Sequence, residues 1–145
     1  MQVRHLLKDK GAIVVGISPA ASLAEAARLL TEKRIGAVVV RQDDGPLLGI
    51  LSERDLVKAM AAYGATALTQ TVDRHLTREV VTCNLAHTME DLMEMMTRGR
   101  FRHVPVLDDD GRLCGVVSIG DVVKNRIAET VREAEDLRVY ISATA

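Results

Sequence analysis

Short β-branched runs alternate along the chain with stretches in which apolar residues recur every three or four positions. In the first half, residues 13–15 and 37–40 have the composition of buried strands. The stretch between them predicts a helix that begins with a capping box at Ser22. A glycine-containing turn separates residues 37–40 from a second hairpin strand at 47–51, after which Ser52 caps another helix. The first half therefore reads β-α-β-β-α.

The second half repeats the first. A shift of 66 residues brings the sequence onto itself without a gap, so that Gly49 falls on Gly115. Residues 80–81, 103–107 and 113–117 are the predicted strands of this half, and Thr88 and Ser118 begin its helices. The helix after Thr88 has an apolar stripe, interpreted as core in preference to a partner-binding surface. The stripe consists of Met89, Leu92, Met93 and Met96.

The repeat predicts a mixed α/β (α+β) protein built from two homologous units. One unit of about 60 residues would bury only a marginal core, so the two are expected to pack together as a pair. The predicted boundaries are residues 1–62 for the first unit, 63–71 for a linker and 72–145 for the second unit. Residues 3–7 match 72–76 at a shift of 69, so the first unit carries three extra residues near Lys8-Asp9-Lys10-Gly11.

Composition narrows the possible functions. The formal net charge is −1, which provides no electrostatic footprint for nucleic acid. No apolar run approaches the roughly 20 residues that span a bilayer, and the first residues do not resemble a secretory leader. Cys83 and Cys114 form no CxxC pair and are interpreted as buried, reduced thiols. These features predict a soluble, cytoplasmic protein without a membrane or nucleic-acid partner.

The candidate chemistry lies in a Gly-x-x-Ser-x-x-Asp pattern that occurs twice, ending at Asp55 and at Asp121. Each serine stands where a predicted strand becomes a helix, and the free amides there favour an anion such as phosphate. Each aspartate follows in the first helical turn, where its oxygens could accept hydrogen bonds from both hydroxyls of a ribose. The alternative is that both pairs are only helix caps.

A second candidate group is Arg102 and His103, which enter a strand from the end of a helix. Both side chains could contact a phosphate, although a solvated strand edge would explain them as well. The matching positions in the first half are Gly36 and Ala37, which carry no charge. If the protein has two nucleotide sites, their phosphate contacts therefore differ.

The order of elements, the doubled Gly-x-x-Ser-x-x-Asp pattern and the strand Phe-Arg-His-Val-Pro-Val at residues 101–106 resemble a tandem pair of CBS (cystathionine β-synthase) domains, also called a Bateman module. The resemblance covers roughly residues 3–130. It implies a pseudo-twofold pair of units with two clefts between them. Free-standing members of this family usually form disc-like homodimers. The apolar positions Val123, Ile127, Val131, Ala134 and Leu137 suit such an interface.

The resemblance also implies which residues line each cleft. In the family, the aspartate binds ribose, the serine assists the phosphate, and the adenine stacks on the first strand of the opposite unit. One cleft would then be formed by Ser118, Asp121, Arg102, His103, Val15, Gly16, Ile17, Ser18, Ile35, Gly36 and Ala37. The other would use Ser52 and Asp55, with Val81, Thr82 and Cys83 as its base platform.

We therefore expect a regulatory, energy-sensing module that binds an adenine nucleotide, with AMP as the first candidate, and that signals to an unidentified protein. NAD(H) and S-adenosylmethionine share the ribose and remain alternatives, as does a dimerisation module without a ligand. Catalysis is not expected, since the sequence shows neither a nucleophile–base pair nor a metal-ligand spacing. The cleft at Asp121 is the first choice for the occupied one.

Overall fold

The computed structural model describes residues 1–11 and 14–144. The first half contains helix α1 (Val3–Lys10), strand β1 (Gly16–Ile17), helix α2 (Leu23–Lys33), strands β2 (Ala37–Val40) and β3 (Gly49–Ser52), and helix α3 (Glu53–Tyr63). Two 3₁₀ helices, Gly64–Thr69 and Val72–Arg74, connect the halves. The second half contains strand β4 (Cys83–Asn84), helix α4 (Met89–Gly99), strands β5 (His103–Leu107) and β6 (Leu113–Ser118), and helix α5 (Ile119–Thr144).

The two halves form equivalent three-stranded sheets. In each sheet the first strand runs parallel to the middle strand, and the third strand is antiparallel to it. The register places Gly16 opposite Val39 in one sheet and Cys83 opposite Val106 in the other. The mixed α/β class and the paired β-α-β-β-α units predicted from the repeat are confirmed.

The helix starts follow the predicted capping chemistry. Ser22 and Thr88 each accept a hydrogen bond from the backbone amide three residues on, at 3.1 Å in both cases. In return, Glu25 and Asp91 each accept a hydrogen bond from the backbone amide of the cap residue. A capping box is a local pattern, and for that reason the sequence locates these helix starts to the residue.

The first strand of each unit was predicted too early. Val14 and Val15 lie before β1, Ile13 falls outside the described residues, and residues 80–81 lie before β4. A β-branched run reports propensity, whereas a strand is defined by the backbone it pairs with. Here the parallel partner is only the second half of β2, and its register selects Gly16 and Ile17.

The cores cross the predicted unit boundaries. Val3 and Leu7 of α1 are buried in the core of the second unit, together with residues such as Leu92 and Val122. Val72, which follows the predicted linker, is buried in the core of the first unit beside Leu51. Each unit is thus completed by the segment that precedes the other unit.

The methionine stripe of α4 lies in the second core, as expected. Met89, Leu92 and Met96 are buried, and Met93 packs against them. Helix α5 is different, because most of its length projects from the second unit and, within the described residues, is buried only at Val122 and Asn125. None of the helices in residues 1–11 and 14–144 combines the length and apolar character needed to cross a bilayer.

Candidate functional site

Both Ser-x-x-Asp pairs lie at the junction of a strand and a helix and form the same local structure. Ser52 donates its backbone N–H to Oδ2 of Asp55 at 2.9 Å, and Ser118 does so to Oδ2 of Asp121 at the same distance. The aspartate amides donate back to the serine hydroxyls at 3.4 and 3.2 Å. The predicted caps are therefore present at both sites. A capped helix start still presents amides and a positive dipole end to an anion.

The glycine that opens each pattern allows a close approach, as predicted. A Cβ on Gly49 would lie 2.3 Å from the carbonyl oxygen of Thr77, and one on Gly115 would lie 2.7 Å from Cδ2 of Leu7. The segment at Thr77 pairs with Ile50 through two backbone hydrogen bonds of 2.9 and 2.8 Å. The equivalent glycines of the two sheets are thus each covered by a segment from the other unit, at Thr77 for Gly49 and at Leu7 for Gly115.

The carboxylate of Asp55 is enclosed by a neighbouring hydroxyl. Its residue is only 9% exposed, and Thr77 donates its hydroxyl to Oδ1 at 3.1 Å, with Oδ2 at 3.3 Å. Together with the two bonds from Ser52, this leaves the group well satisfied. A ribose that used Asp55 would have to replace Thr77.

The carboxylate of Asp121 is held by an ammonium group instead. Lys10 Nζ lies 2.6 Å from Oδ2 and also donates to the carbonyl oxygen of Val116 at 2.9 Å. Although burial raises the pKa of Asp121, the hydrogen bonds from Lys10 and Ser118 outweigh this effect and hold the pKa below its ordinary value. Asp121 is thus ionised and ready to accept hydrogen bonds.

His103 faces the first unit. A Cβ on Gly36 would lie 3.5 Å from Cε1 of His103 and 3.7 Å from Cδ of Glu53. Burial, followed by the positive charge of Lys10, lowers the pKa of His103, so the ring is neutral near pH 7. A methyl group at position 36 would therefore be in ordinary van der Waals contact with the imidazole.

Arg102 is anchored beside the same helix start. Its carbonyl oxygen accepts the backbone N–H of Ile119 at 2.8 Å, and its side chain is exposed. The structure therefore brings Asp121, Ser118, His103 and Arg102 together where β5 begins and β6 meets α5, and His103 faces Gly36 of the first unit. The phosphate-facing role predicted for Arg102 and His103 stays a prediction, but their position is compatible with it.

The predicted base platform of this cleft belongs to the first unit. Gly16 is exposed in β1, and Val15, Ile17 and Ile35 are half-buried against the first core. Ser18 accepts the backbone N–H of Ala20 at 3.2 Å and closes the turn after β1. Ala37 is half-buried in β2, next to Gly36.

The predicted platform of the other cleft is less uniform. Val81 is exposed and Thr82 is half-buried, whereas Cys83 is 4% exposed and belongs to the second core. Burial also raises the pKa of the Cys83 thiol to about 12. Alternate residues of a strand face opposite sides of the sheet, and the side chain of Cys83 lies on the side that faces the second core. This position argues against a role for that side chain in a base platform.

A cavity of about 950 Å³ opens between the hairpin turns of the two units. Val80 and Thr82 line it together with Arg41, Arg78 and Arg112, while Asp55 does not. The cavity thus reaches the predicted platform of the second cleft but not its carboxylate.

Lys10 and Thr77 are the site residues that sequence reasoning missed. Both lie in the segment before the first strand of a unit, and each donates a hydrogen bond to the aspartate at the helix start of the opposite unit. The three extra residues around Lys8-Asp9-Lys10-Gly11 were the available signal, since they place a charged insertion next to a predicted cleft.

Comparison with known proteins identifies the family. The model of the CBS domain matches residues 12–62 and again 72–128. An uncharacterised 17.7 kDa protein of Acidianus ambivalens is 31% identical over 108 residues, which are 74% of this chain and 64% of that protein. The mitochondrial CBS domain-containing protein CBSX3 of Arabidopsis thaliana is 33% identical over 121 residues, which are 81% of this chain and 58% of that protein. The chain thus spans about three fifths of the length of these two relatives.

Solved structures agree with this assignment. The CBS-domain containing protein ATU1752 from Agrobacterium tumefaciens is 54% identical and aligns with a TM-score of 0.83, covering 86% of this chain and 92% of that one. The CBS domain protein PAE2072 from Pyrobaculum aerophilum, solved with AMP, is 27% identical with a TM-score of 0.73 and coverages of 83% and 89%. The CBS domain pair of protein MJ0100, solved with 5-methylthioadenosine and S-adenosyl-L-methionine, is 25% identical with a TM-score of 0.75 and coverages of 86% and 98%. With two matched units, paired sheets and a Ser-x-x-Asp junction in each, the chain belongs to the CBS domain family and is a tandem CBS pair.

Proposed function

We propose that this CBS pair is a non-catalytic regulatory module that binds an adenine nucleotide of the AMP class in the cleft around Asp121. The observation that carries the proposal is the ionised Asp121 carboxylate at a helix start, with His103 and Arg102 on the adjoining strand. Relatives with the same fold bind AMP or other adenosyl ligands.

Each part of the nucleotide has a chemical partner in this cleft. The ribose hydroxyls would donate to Asp121, and the phosphate would accept from Ser118, Arg102 and the free amides of α5. The adenine would lie on the backbone of residues 15–18, where Gly16 is exposed and leaves the approach open.

The two clefts are proposed to differ in occupancy. Asp55 is buried and already satisfied by Thr77, and its unit presents Gly36 and Ala37 where the other presents Arg102 and His103. A nucleotide at Asp55 would displace a hydroxyl without gaining a basic contact on the neighbouring strand. The cleft around Asp121 is therefore the one filled first.

Signalling would pass through the helices that follow the two Ser-x-x-Asp junctions. Helix α5 exposes a stripe of apolar side chains, in which Ile127 is 59% and Val131 is 52% exposed. Val57 and Met60 of α3 are exposed as well. Apolar residues at these positions favour a homodimer through α3 and α5, which would leave both junctions in contact with the interface. The regulated protein and a cytoplasmic location stay predictions.

The second candidate function is a dimerisation module without a ligand. Its support is that both Ser-x-x-Asp pairs form ordinary capping boxes, with hydrogen-bond geometry close to that of Thr88 and Asp91. The two functions differ in what they require of Asp121. Nucleotide binding requires Asp121 to contact the ligand, whereas a dimerisation module requires it only to cap α5.

A thermal-shift and calorimetric titration with AMP, ADP, ATP, NAD and S-adenosylmethionine tests the choice. Asp121→Asn should lower the melting temperature of the free protein and remove the nucleotide-dependent increase. Asp91→Asn is the matched control, because Asp91 caps α4 in the same geometry outside the cleft. It should lower the melting temperature but keep the nucleotide response. No binding of any adenosyl ligand below millimolar concentrations would reject the nucleotide function.

A further inference from the structure

The ribose acceptor of the proposed nucleotide cleft is already paired with a lysine from the far end of the sequence. Lys10 Nζ is 2.6 Å from Oδ2 of Asp121, across 111 positions of sequence. Helix α1 carries Lys10 to this place because Val3 and Leu7 are buried in the second core. Packing thus positions the helix that carries Lys10, while the Lys10 side chain itself is exposed.

The ion pair leaves part of Asp121 open. Oδ2 accepts from Lys10 and from Ser118, whereas Oδ1 receives none of the hydrogen bonds found among residues 1–11 and 14–144. A ribose hydroxyl could approach Oδ1 with Lys10 still in place. A positive charge would therefore remain beside the bound ligand, whether Lys10 stays on Asp121 or turns toward the ligand.

The other cleft lacks this charge. There the equivalent donor is the neutral hydroxyl of Thr77, 3.1 Å from Oδ1 of Asp55. The carboxylate of Asp121 thus has a positively charged hydrogen-bond donor, whereas the carboxylate of Asp55 has a neutral one. The neighbouring strand adds to the difference, because Arg102 stands where the first unit has Gly36.

We propose that Lys10 makes the Asp121 cleft selective for adenosyl ligands with an anionic group at the 5′ position, and against ligands that are uncharged or cationic there. This rests on the proposed function. An ammonium group held by a single carboxylate gains from a nearby phosphate and loses from a nearby sulfonium, since both interactions act at short range beside the half-buried Asp121. The ligand class is therefore the nucleoside phosphates, and S-adenosylmethionine is disfavoured.

Titration calorimetry with AMP, adenosine and S-adenosylmethionine on wild-type protein and on Lys10→Met tests this. Lys10→Met should weaken AMP about tenfold or more, in keeping with the loss of roughly 1.4 kcal/mol per factor of ten. Adenosine should change little, and S-adenosylmethionine should bind more tightly than it does to wild type. Lys8→Met is the control, because Lys8 lies exposed on the same helix and carries the same charge. It should leave all three affinities unchanged.

The opposite signs expected for AMP and S-adenosylmethionine distinguish selectivity from folding. If Lys10→Met weakens all three ligands equally, or none, Lys10 only positions structure and the inference is wrong. Equal affinities of wild type for AMP and adenosine would also overturn it while leaving the proposed function intact. If wild type binds no adenosyl ligand, the proposed function fails and the inference fails with it.

Discussion

Thr77 donates its hydroxyl to the buried carboxylate of Asp55, at 3.1 Å from Oδ1. The bond joins a loop residue of one unit to the helix start of the other, and it supplies the partner that a buried carboxylate requires. Thr77 also pairs with Ile50 through its backbone. The side chain and the main chain of Thr77 therefore both bind the first unit, at Asp55 and Ile50.

Thr77→Val tests the contribution of this hydroxyl. The two side chains have the same shape, so the change removes a hydrogen bond from a buried charge and costs about 1–3 kcal/mol of unfolding free energy. Urea denaturation measures it. Thr97→Val is the control, since the Thr97 hydroxyl donates to the carbonyl of Met93 on an exposed helix surface and its loss should cost well below that. Equal losses in both variants would contradict a structural role for the Thr77–Asp55 bond.

The two motif glycines should differ in their tolerance of a methyl group. At Gly49 an added Cβ meets the backbone oxygen of Thr77 at 2.3 Å, whereas at Gly115 it meets the flexible end of Leu7 at 2.7 Å. Gly49→Ala must therefore move a paired segment, and Gly115→Ala need only move a side chain. Overpacking costs typically about 1–3 kcal/mol, and we expect Gly49→Ala at or above the upper end and Gly115→Ala near the lower end. Thermal unfolding of the two variants gives the comparison, and the reverse order would refute it.

The stability of the free protein should depend on pH through His103. Burial and the charge of Lys10 lower the pKa of this histidine from its ordinary 6.5, while Glu53 and Asp121 raise it and Arg102 lowers it further. Below pH 6.5 the unfolded chain binds a proton that the folded protein binds only at lower pH, so stability falls as the pH falls through this window. His103→Gln should flatten the slope, as measured by urea denaturation between pH 5 and 8.

The control for this prediction is His5→Gln, because His5 is exposed on α1. It should leave the slope unchanged.

If AMP places its phosphate near the imidazole, the bound form raises the pKa of His103 and takes up a proton. AMP would then bind more tightly at pH 6 than at pH 8. If the unfolding free energy of the wild-type protein does not change between pH 5 and 8, His103 does not make its stability depend on pH.

The exposed stripe of α5 predicts an association that a single charge can break. Ile127 lies near its centre and is 59% exposed in the isolated chain. Ile127→Glu should convert a dimer to a monomer in sedimentation velocity, because a carboxylate would be buried in an apolar interface without a partner. Ala128→Glu, about 100° around the same helix from Ile127 and outside the stripe, should leave the dimer intact. A wild-type protein that is monomeric at high micromolar concentration would contradict the interface.

Local patterns were recoverable from the sequence, and contacts between distant segments were not. Ser22, Thr88 and Ser118 were correctly located as helix starts because the capping signal spans four residues. The repeat then revealed the paired fold. The bond between Lys10 and Asp121 depends on how α1 docks onto the second unit, and the three-residue insertion beside Lys10 marks that segment without encoding its partner. The first strands were misplaced for the same reason, since their limits are set by register with Val39 and Val106.

The exchange of segments between the two cores has a consequence for the order in which the protein is made. Residues 14–78 contain what the first core needs, including Val72, and they leave the ribosome before the second unit exists. Val3 and Leu7 are synthesised well before the side chains that bury them, such as Leu92 and Val122. These two apolar residues must wait in solvent or in a temporary contact. The second unit can mature only after Val122 has been synthesised, so the step that buries Val3 and Leu7 is also the one that brings Lys10 to Asp121.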